Sequence, residues 1–417
     1  MTAATETPTP ESPADLSRAR KVVIACYLGW ALDAFDFFIM VFVFSNVAKE
    51  FGTSITAVTV AVTLTLALRP VGAFIFGRIA DRYGRRPALM LCILCFSVLE
   101  FGSGLAPNLA SFLVLRGLFG IAMGGEWGIG SSLTMETIPV RWRGWVSGLL
   151  QSGYPTGYFL ATLTFYLFEP LVGWRGLFMI GALPALLVVF ISRHVEESPD
   201  WQAQRKVPRL PIHVILRKHA GLAIYAVILM TAFNFFAHGT QDIYPNVFLG
   251  IQHGFDHGTV TVIALVYNAG AAIGCLLFGT LSQKLGRRRA IMLAAMLSLP
   301  VIPLWAFSET PVPLAIGALL MQICVQGAWG VIPAHLNELS PPTIRATFPG
   351  FVYQLGNLLA SSNATLQAGI GESMGNNYSW ALAGVAGTVA VLITVLIAFG
   401  PEARDVKMSG ITPVAPE

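Results

Sequence analysis

The chain has 417 residues, 55% of them hydrophobic and only 12% charged, with a formal net charge of +4. A water-soluble domain carries about 25% charged residues, so this composition excludes an ordinary soluble globule and points to lipid as the solvent. The +4 reflects the basic loops of the topology read below, and no nucleic-acid-binding patch is read from it.

Residues 1–20, rich in Thr, Pro and Ala, read as a disordered tail. The first apolar run, from Val22, is too long for a signal-peptide core and has no small-residue cleavage site, so it is expected to stay as a span. A helix crossing the hydrocarbon needs roughly 20 apolar residues. Runs of that kind predict helices over 22–46, 56–80, 88–106, 111–136, 144–168 and 173–193. A polar segment, 194–219, with Pro199, Pro208 and Pro211, then interrupts the pattern. Helices are expected again over 220–248, 258–282, 288–308, 311–336, 345–370 and 378–400, before a tail at 401–417. The predicted division is a six-helix unit at 21–193, a linker, and a second six-helix unit at 220–400. Cys26, Cys92, Cys95, Cys275 and Cys324 all lie in apolar runs. The Cys92/Cys95 pair lacks the further ligands of a zinc site, so no metal and no cofactor are expected.

Basic residues cluster on alternate loops. Arg18, Arg20 and Lys21 precede the first helix, and Arg78, Arg82, Arg85 and Arg86 follow the second. Arg141 and Arg143 follow the fourth, and Arg193, Arg205, Lys206, Arg209, Arg217 and Lys218 lie in the linker. Lys284, Arg287, Arg288 and Arg289 follow the eighth, Arg345 the tenth, and Arg404 and Lys407 lie in the tail. The opposite loops hold only Lys49 and Arg175. The positive-inside rule then puts both termini and the linker in the cytoplasm, with the chain multi-pass in the inner (plasma) membrane.

The run from Gly77 to Arg86 is matched by the run from Gly279 to Arg288, an offset of 202 residues. The same offset carries Trp127 to Trp329, Glu136 to Glu338, Arg143 to Arg345 and Gly148 to Gly350. An ungapped register of this length indicates two copies of one six-helix unit. Parallel duplication of this kind resembles the major facilitator superfamily. The resemblance covers 22–400 and implies an all-α membrane protein of twelve transmembrane helices, with two six-helix bundles in pseudo-two-fold repeat. The glycine-flanked basic loop after the second helix, Arg116-Gly-Leu-Phe-Gly120 and Glu197-Ser-Pro199 are similar to that superfamily's signatures. Asp81 can approach a helix N-terminus of the other half, where the dipole favours an anion. With Arg85, Glu136 and Arg143, and with the repeat partners Glu338 and Arg345, it is expected to form a gate latch.

Ionisable groups inside the hydrocarbon cost several kcal/mol and are functional candidates for that reason. The spans place Asp33 and Asp36 on helix 1, Arg69 on helix 2, Glu126 on helix 4, and Tyr154 and Tyr158 on helix 5. Helix 7 carries Asn234, His238 and Asp242 on one stripe, and helix 11 carries Gln354 and Asn357. These helices come from both halves, so one central cavity is expected to gather them. Arg69 keeps its charge at any useful pH and grips carboxylates bidentately. Asp33, Asp36, Glu126 and Asp242 are candidates to carry a proton.

The segment from Asn234 to Asp242 also resembles the helix-7 signature of Jen-type lactate and pyruvate permeases of the sialate:proton symporter family. Ala237 stands where that signature has Ser or Thr, and Asn246 where it has Thr. The resemblance implies proton-coupled uptake of a small monocarboxylate, with Arg69, Asn234, His238, Gln354, Asn357, Tyr154 and Tyr158 at the substrate. Sialic, aromatic and dicarboxylic acids stay open as substrates. The partners are then a carboxylate, protons and the bilayer, with a monomer as the expected unit. No nucleophile–base set or phosphate loop suggests an enzyme. A nutrient sensor on the same scaffold remains as a reading from another class.

Overall fold

In a bilayer an apolar run satisfies its backbone groups as a helix. The computed structural model of the chain describes residues 13–205, 211–404, 406 and 408, and among these it is helical with no strand. Residues 1–12, Lys206, Arg209 and Lys407 lie outside the described residues.

The first half comprises α1 (Pro13–Phe42), α2 (Ile55–Tyr83), α3 (Arg85–Gly104) and α4 (Leu109–Thr137). It continues with α5 (143–172) and α6 (174–194). The second half comprises α7 (Ala220–Gln252), α8 (His257–Leu285), α9 (Arg287–Ala306) and α10 (Pro311–Leu339). It closes with α11 (347–373) and α12 (Ser379–Phe399). Among the described residues nine helices are singly long and apolar enough to cross a membrane, or ten with the bent pair Val140–Ile180 and Ala185–His194. Gly173, at φ +65° inside Val140–Ile180, divides that stretch into α5 and α6. Joining α11 across its break at Ser361 and Ser362 completes twelve segments.

Several boundaries differ from expectation. Residues 13–20, expected in the tail, are the first turns of α1. The linker holds two short helices, Pro199–Gln204, capped by Ser198 at the Trp201 amide, and Ile212–Lys218. Within α7 the regular helix stops at Gln241, and a π-helical stretch runs from Tyr244 to Gln252.

The repeat is visible in the turns. Gly84 (φ +119°) and Gly286 (φ +92°) occupy equivalent positions between α2–α3 and α8–α9, a backbone region that side chains rarely adopt. A Cβ on Gly84 would also stand 2.2 Å from a Glu197 carboxylate oxygen. That carboxylate accepts from the Arg85 and Arg86 amides (3.0 and 3.1 Å), much as Glu402 accepts from the Arg288 amide (3.1 Å).

The halves meet along α2–α11, α5–α8 and the ends of α4 and α10. Small residues allow the approach: a Cβ on Gly148 would fall 2.2 Å from the Cys275 carbonyl oxygen, and one on Gly128 2.7 Å from Gly350 Cα. Hydrogen bonds between the halves, among the described residues, gather at the end that bears both chain termini. Ser147 donates to the Gly330 carbonyl (2.7 Å), and Ser132 to the Arg345 carbonyl (2.8 Å). Away from that end the halves part. His238 and Asp242, which face the first half, keep 31% and 35% of their side-chain surface exposed. The cleft is therefore closed at the terminus-side end and open at the other.

Candidate functional site

In the first half α1 presents Gly29, Asp33 and Asp36 toward its neighbours. Arg69 on α2 donates from Nη2 to Asp33 Oδ2 at 3.1 Å. Arg69 Nε and Asp33 Oδ1 are buried without a protein partner. Glu126 is 1% exposed, and neither carboxylate oxygen has a partner. Its position depends on Gly29, where a Cβ would meet Glu126 Oε1 at 2.5 Å. Asp33, Arg69 and Glu126 thus form one group of two carboxylates and one guanidinium.

Asp36 does not join them. It is fully buried inside the first half, with neither oxygen partnered. A Cβ on Gly181 would lie 2.9 Å from Asp36 Oδ1 and 2.8 Å from Glu100 Cγ, which puts the two acids side by side. Glu100 on α3 pairs with Arg116 on α4, whose guanidinium lies 3.9 Å from the Phe119 ring centroid. One central cavity therefore does not hold every midplane charge. Glu100 is the residue that sequence reasoning missed. Its signal was present: it is the lone charge deep in the apolar run of α3.

In the second half the His238 ring is held from both sides, by Asp242 Oδ1 at Nδ1 (3.0 Å) and by Asn357 Oδ1 at Nε2 (2.9 Å). The helix-7 stripe and α11 are thereby joined. Asn234 donates to the Met230 carbonyl one turn back (2.7 Å). Gln354 is 1% exposed, and both its amide atoms lack a partner. Buried polar groups are nearly always paired, so an unpaired amide in one half and an unpaired guanidinium nitrogen in the other suit an incoming ligand.

Rings wall the cleft between these groups. Tyr154 stacks on Trp30 (5.7 Å between centroids), and Phe38 meets Tyr154 (5.4 Å) and Tyr158 (4.9 Å). Tyr353 of α11 contacts Trp127 (4.8 Å) and Trp329 (5.3 Å) from the two halves. Tyr154 and Tyr353 both lie within electrostatic reach of Arg69, which places that guanidinium at the junction of the halves.

The residues expected to form a gate assemble at the terminus-side end, in duplicate. Arg85 grips Glu136 bidentately (3.0 and 2.9 Å), and Arg287 grips Glu338 in the same way (2.9 and 2.8 Å). Across the halves, Arg143 approaches Glu338 and Arg345 approaches Glu136, each at 3.8 Å. Asp81 accepts from the amides of Ala346 (3.0 Å) and Thr347 (3.2 Å) and from the Thr347 hydroxyl (2.5 Å). Its repeat equivalent Gln283 accepts from the Gly144 amide (2.9 Å). Asp81 thus sits at the start of a helix of the opposite half, where the dipole favours its charge. The linker joins this cluster: Ser198 donates to Glu136 (2.5 Å), and burial together with Glu136 pushes the nearby Asp200 carboxyl up to about 6.

The family model described as "Sugar (and other) transporter" matches residues 24–209 and 222–404. A probable 4-methylmuconolactone transporter of Cupriavidus pinatubonensis is 28% identical, over 94% of this chain and 92% of that one. The sialic acid transporter NanX of Escherichia coli is 27% identical, over 94% and 96%. Among solved structures, the proton:xylose symporter XylE superposes with a TM-score of 0.79 at 17% identity, covering 95% of this chain and 98% of that one. At that identity the likeness speaks for the major facilitator fold alone.

Proposed function

The chain belongs to the Sugar (and other) transporter family and is a multi-pass membrane transporter rather than an enzyme; from that premise we propose that it carries a small organic acid anion together with a proton, by alternating access about the central cleft. The observation that carries this reading is Arg69. It is a permanent cation at the junction of the halves, engaged by Asp33 through one nitrogen and with Nε unpartnered. A substrate carboxylate completes its coordination. Gln354, Asn357, His238 and Asn234 supply hydrogen bonds from the other half to the remaining substrate oxygens. The relatives named for a lactone and for sialic acid agree with an acid-like cargo.

Charge counting supports proton coupling. Away from the terminus-side cluster, the first half buries four carboxylates (Asp33, Asp36, Glu100 and Glu126) and two guanidiniums, Arg69 and Arg116. An unpaired charge is expensive there, so protons make up the difference. Asp36 and Glu126 both keep two unpartnered oxygens, and Asp36 is put first because Glu100 already occupies Arg116, the guanidinium near it, whereas Glu126 lies in the Arg69 group. Neutralising a carboxylate of this network frees guanidinium charge for the anion. The gate residues then part at the terminus-side end, read as cytoplasmic from its basic loops.

The segment 234–242 favours a short monocarboxylate such as lactate or pyruvate. The ring-lined cleft favours a second reading, an aromatic or unsaturated ring acid stacked between Tyr154 and Tyr353. Uptake of labelled lactate into proteoliposomes under an inward pH gradient, competed by benzoate, muconate, sialate and succinate, tests both. Uptake is expected to fall when the gradient is collapsed, and indifference to the gradient sinks proton coupling. The strongest competitor identifies the acid class.

A further inference from the structure

The C-terminal segment does more than leave the last helix. It is first fastened to the second half, where Glu402 accepts from the Arg288 amide (3.1 Å) and Arg404 donates to the Lys284 carbonyl (3.2 Å). It then crosses over. The Val406 carbonyl accepts from Arg143 Nη1 of the first half (2.7 Å). The Met408 carbonyl accepts from Arg345 Nη1 of the second half (3.3 Å). Arg143 and Arg345 are repeat partners, and each reaches the opposite half's glutamate only at 3.8 Å. The tail therefore supplies both gate arginines with closer acceptors than the opposite half does.

The Met408 side chain is 2% exposed. It fills a small apolar pocket built from Ala19 of α1, Met135 of α4, Ile138, Val146 of α5 and Ala334 of α10. Four of these lining residues belong to the first half and one to the second, so the pocket exists only while the halves are together at this end. Arg143 is itself buried, at 3% exposure, and an acceptor lost there leaves a costly orphan.

We propose that residues Glu402, Arg404, Val406 and Met408 act as a strap: anchored on the second half through Glu402 and Arg404, it seats Met408 between the halves and caps both gate arginines, holding the terminus-side end closed until it is released. Opening that end separates Ala334 from Met135 and Val146 and dissolves the pocket, so the strap must lift in every cycle. Strap release and gate opening are one equilibrium, and anything that binds the lifted tail drives the gate open. This inference is independent of which acid is carried.

The test uses spin labels at Tyr83→Cys and Leu285→Cys, the equivalent last residues of α2 and α8, with the native cysteines replaced, in lipid nanodiscs. Distances are compared between the full chain, a chain ending at Arg404, and full chains carrying Met408→Asp or Met408→Leu. The truncation and Met408→Asp are expected to raise the ratio of long to short distances on the order of tenfold, the size expected from exposing one buried methionine. Met408→Leu is expected to leave it unchanged, and a synthetic peptide of residues 401–417 to restore the short distance in the truncated chain. If the truncated chain fails to fold, Met408→Asp in the full chain gives the reading. A distance distribution unmoved by the truncation and by Met408→Asp overturns the strap.

Discussion

In the proposed cycle two side chains of the first half, Arg69 and Asp36, divide the chemistry between them. Arg69 stands where the halves meet and offers unused donor capacity. Arg69→Lys keeps the charge but loses the planar fork. Charge-assisted bidentate contacts are worth about 1.5–3 kcal/mol, so initial uptake at low substrate is expected to fall roughly ten- to a hundredfold, while the purified variant keeps its thermal stability. Asp36 lies outside the cleft, among Glu100, Arg116 and Gly181. Asp36→Asn is expected to abolish stimulation by a pH gradient. Exchange of labelled for unlabelled acid at equal pH should continue, because exchange moves no net proton. Loss of both activities would instead make Asp36 part of the substrate site or of the folding core.

At the scale of the element, the linker helix Pro199–Gln204 carries an acid, Asp200, that is expected to tie the gate to pH. Asp200 on this helix is pushed up from its ordinary 3.8 to about 6, first by burial and then by Glu136, against the pull of Arg345, Arg143 and Arg85. An acid with a raised value binds its proton more tightly in the closed form than when exposed. Between these two values the closed form holds more protons, so it gains stability as pH falls and loses it as pH rises through about 6. The closed fraction, read by the Tyr83–Leu285 label pair, is expected to grow as pH drops from 7.5 to 5.5. Asp200→Asn should flatten that dependence and hold the closed fraction high across the range.

For the whole molecule, the cross-half contacts set the state and the charge count sets the energetics. The terminus-side end is closed by the approaches of Arg143 to Glu338 and of Arg345 to Glu136 and by Asp81 at the start of α11, while the opposite side leaves His238 and Asp242 in reach of solvent. One anion moving with one proton carries no net charge. An imposed potential of 100 mV is then expected to leave the uptake rate within experimental error. A single uncompensated charge would be driven by about 2.3 kcal/mol at that potential, roughly a fiftyfold effect at equilibrium. Valinomycin-clamped proteoliposomes with potassium gradients separate the two outcomes.

Amino-acid order alone was enough for the helical class, the two copies and the signature loops. Apolar run length, the 202-residue register and the glycine at positions 84 and 286 are properties of the chain itself. It was also enough to single out Arg69, His238 and Asp242 as candidates, because a charge inside an apolar run is conspicuous wherever it points. Which of those charges meet was not legible. Asp33 and Asp36 are three residues apart on α1, yet one turns to Arg69 and the other to the Glu100–Arg116 pair. That choice depends on how α1 is rotated against α2, α3, α4 and α6. The seat of Met408 was equally hidden, because its pocket is built from residues more than 300 positions apart in the chain, Ala19 and Ala334 among them. Hydropathy and repetition act along the chain and can be read from it. The pairing of buried charges and the closure of the gate arise from packing between helices, and only the tertiary structure decides them.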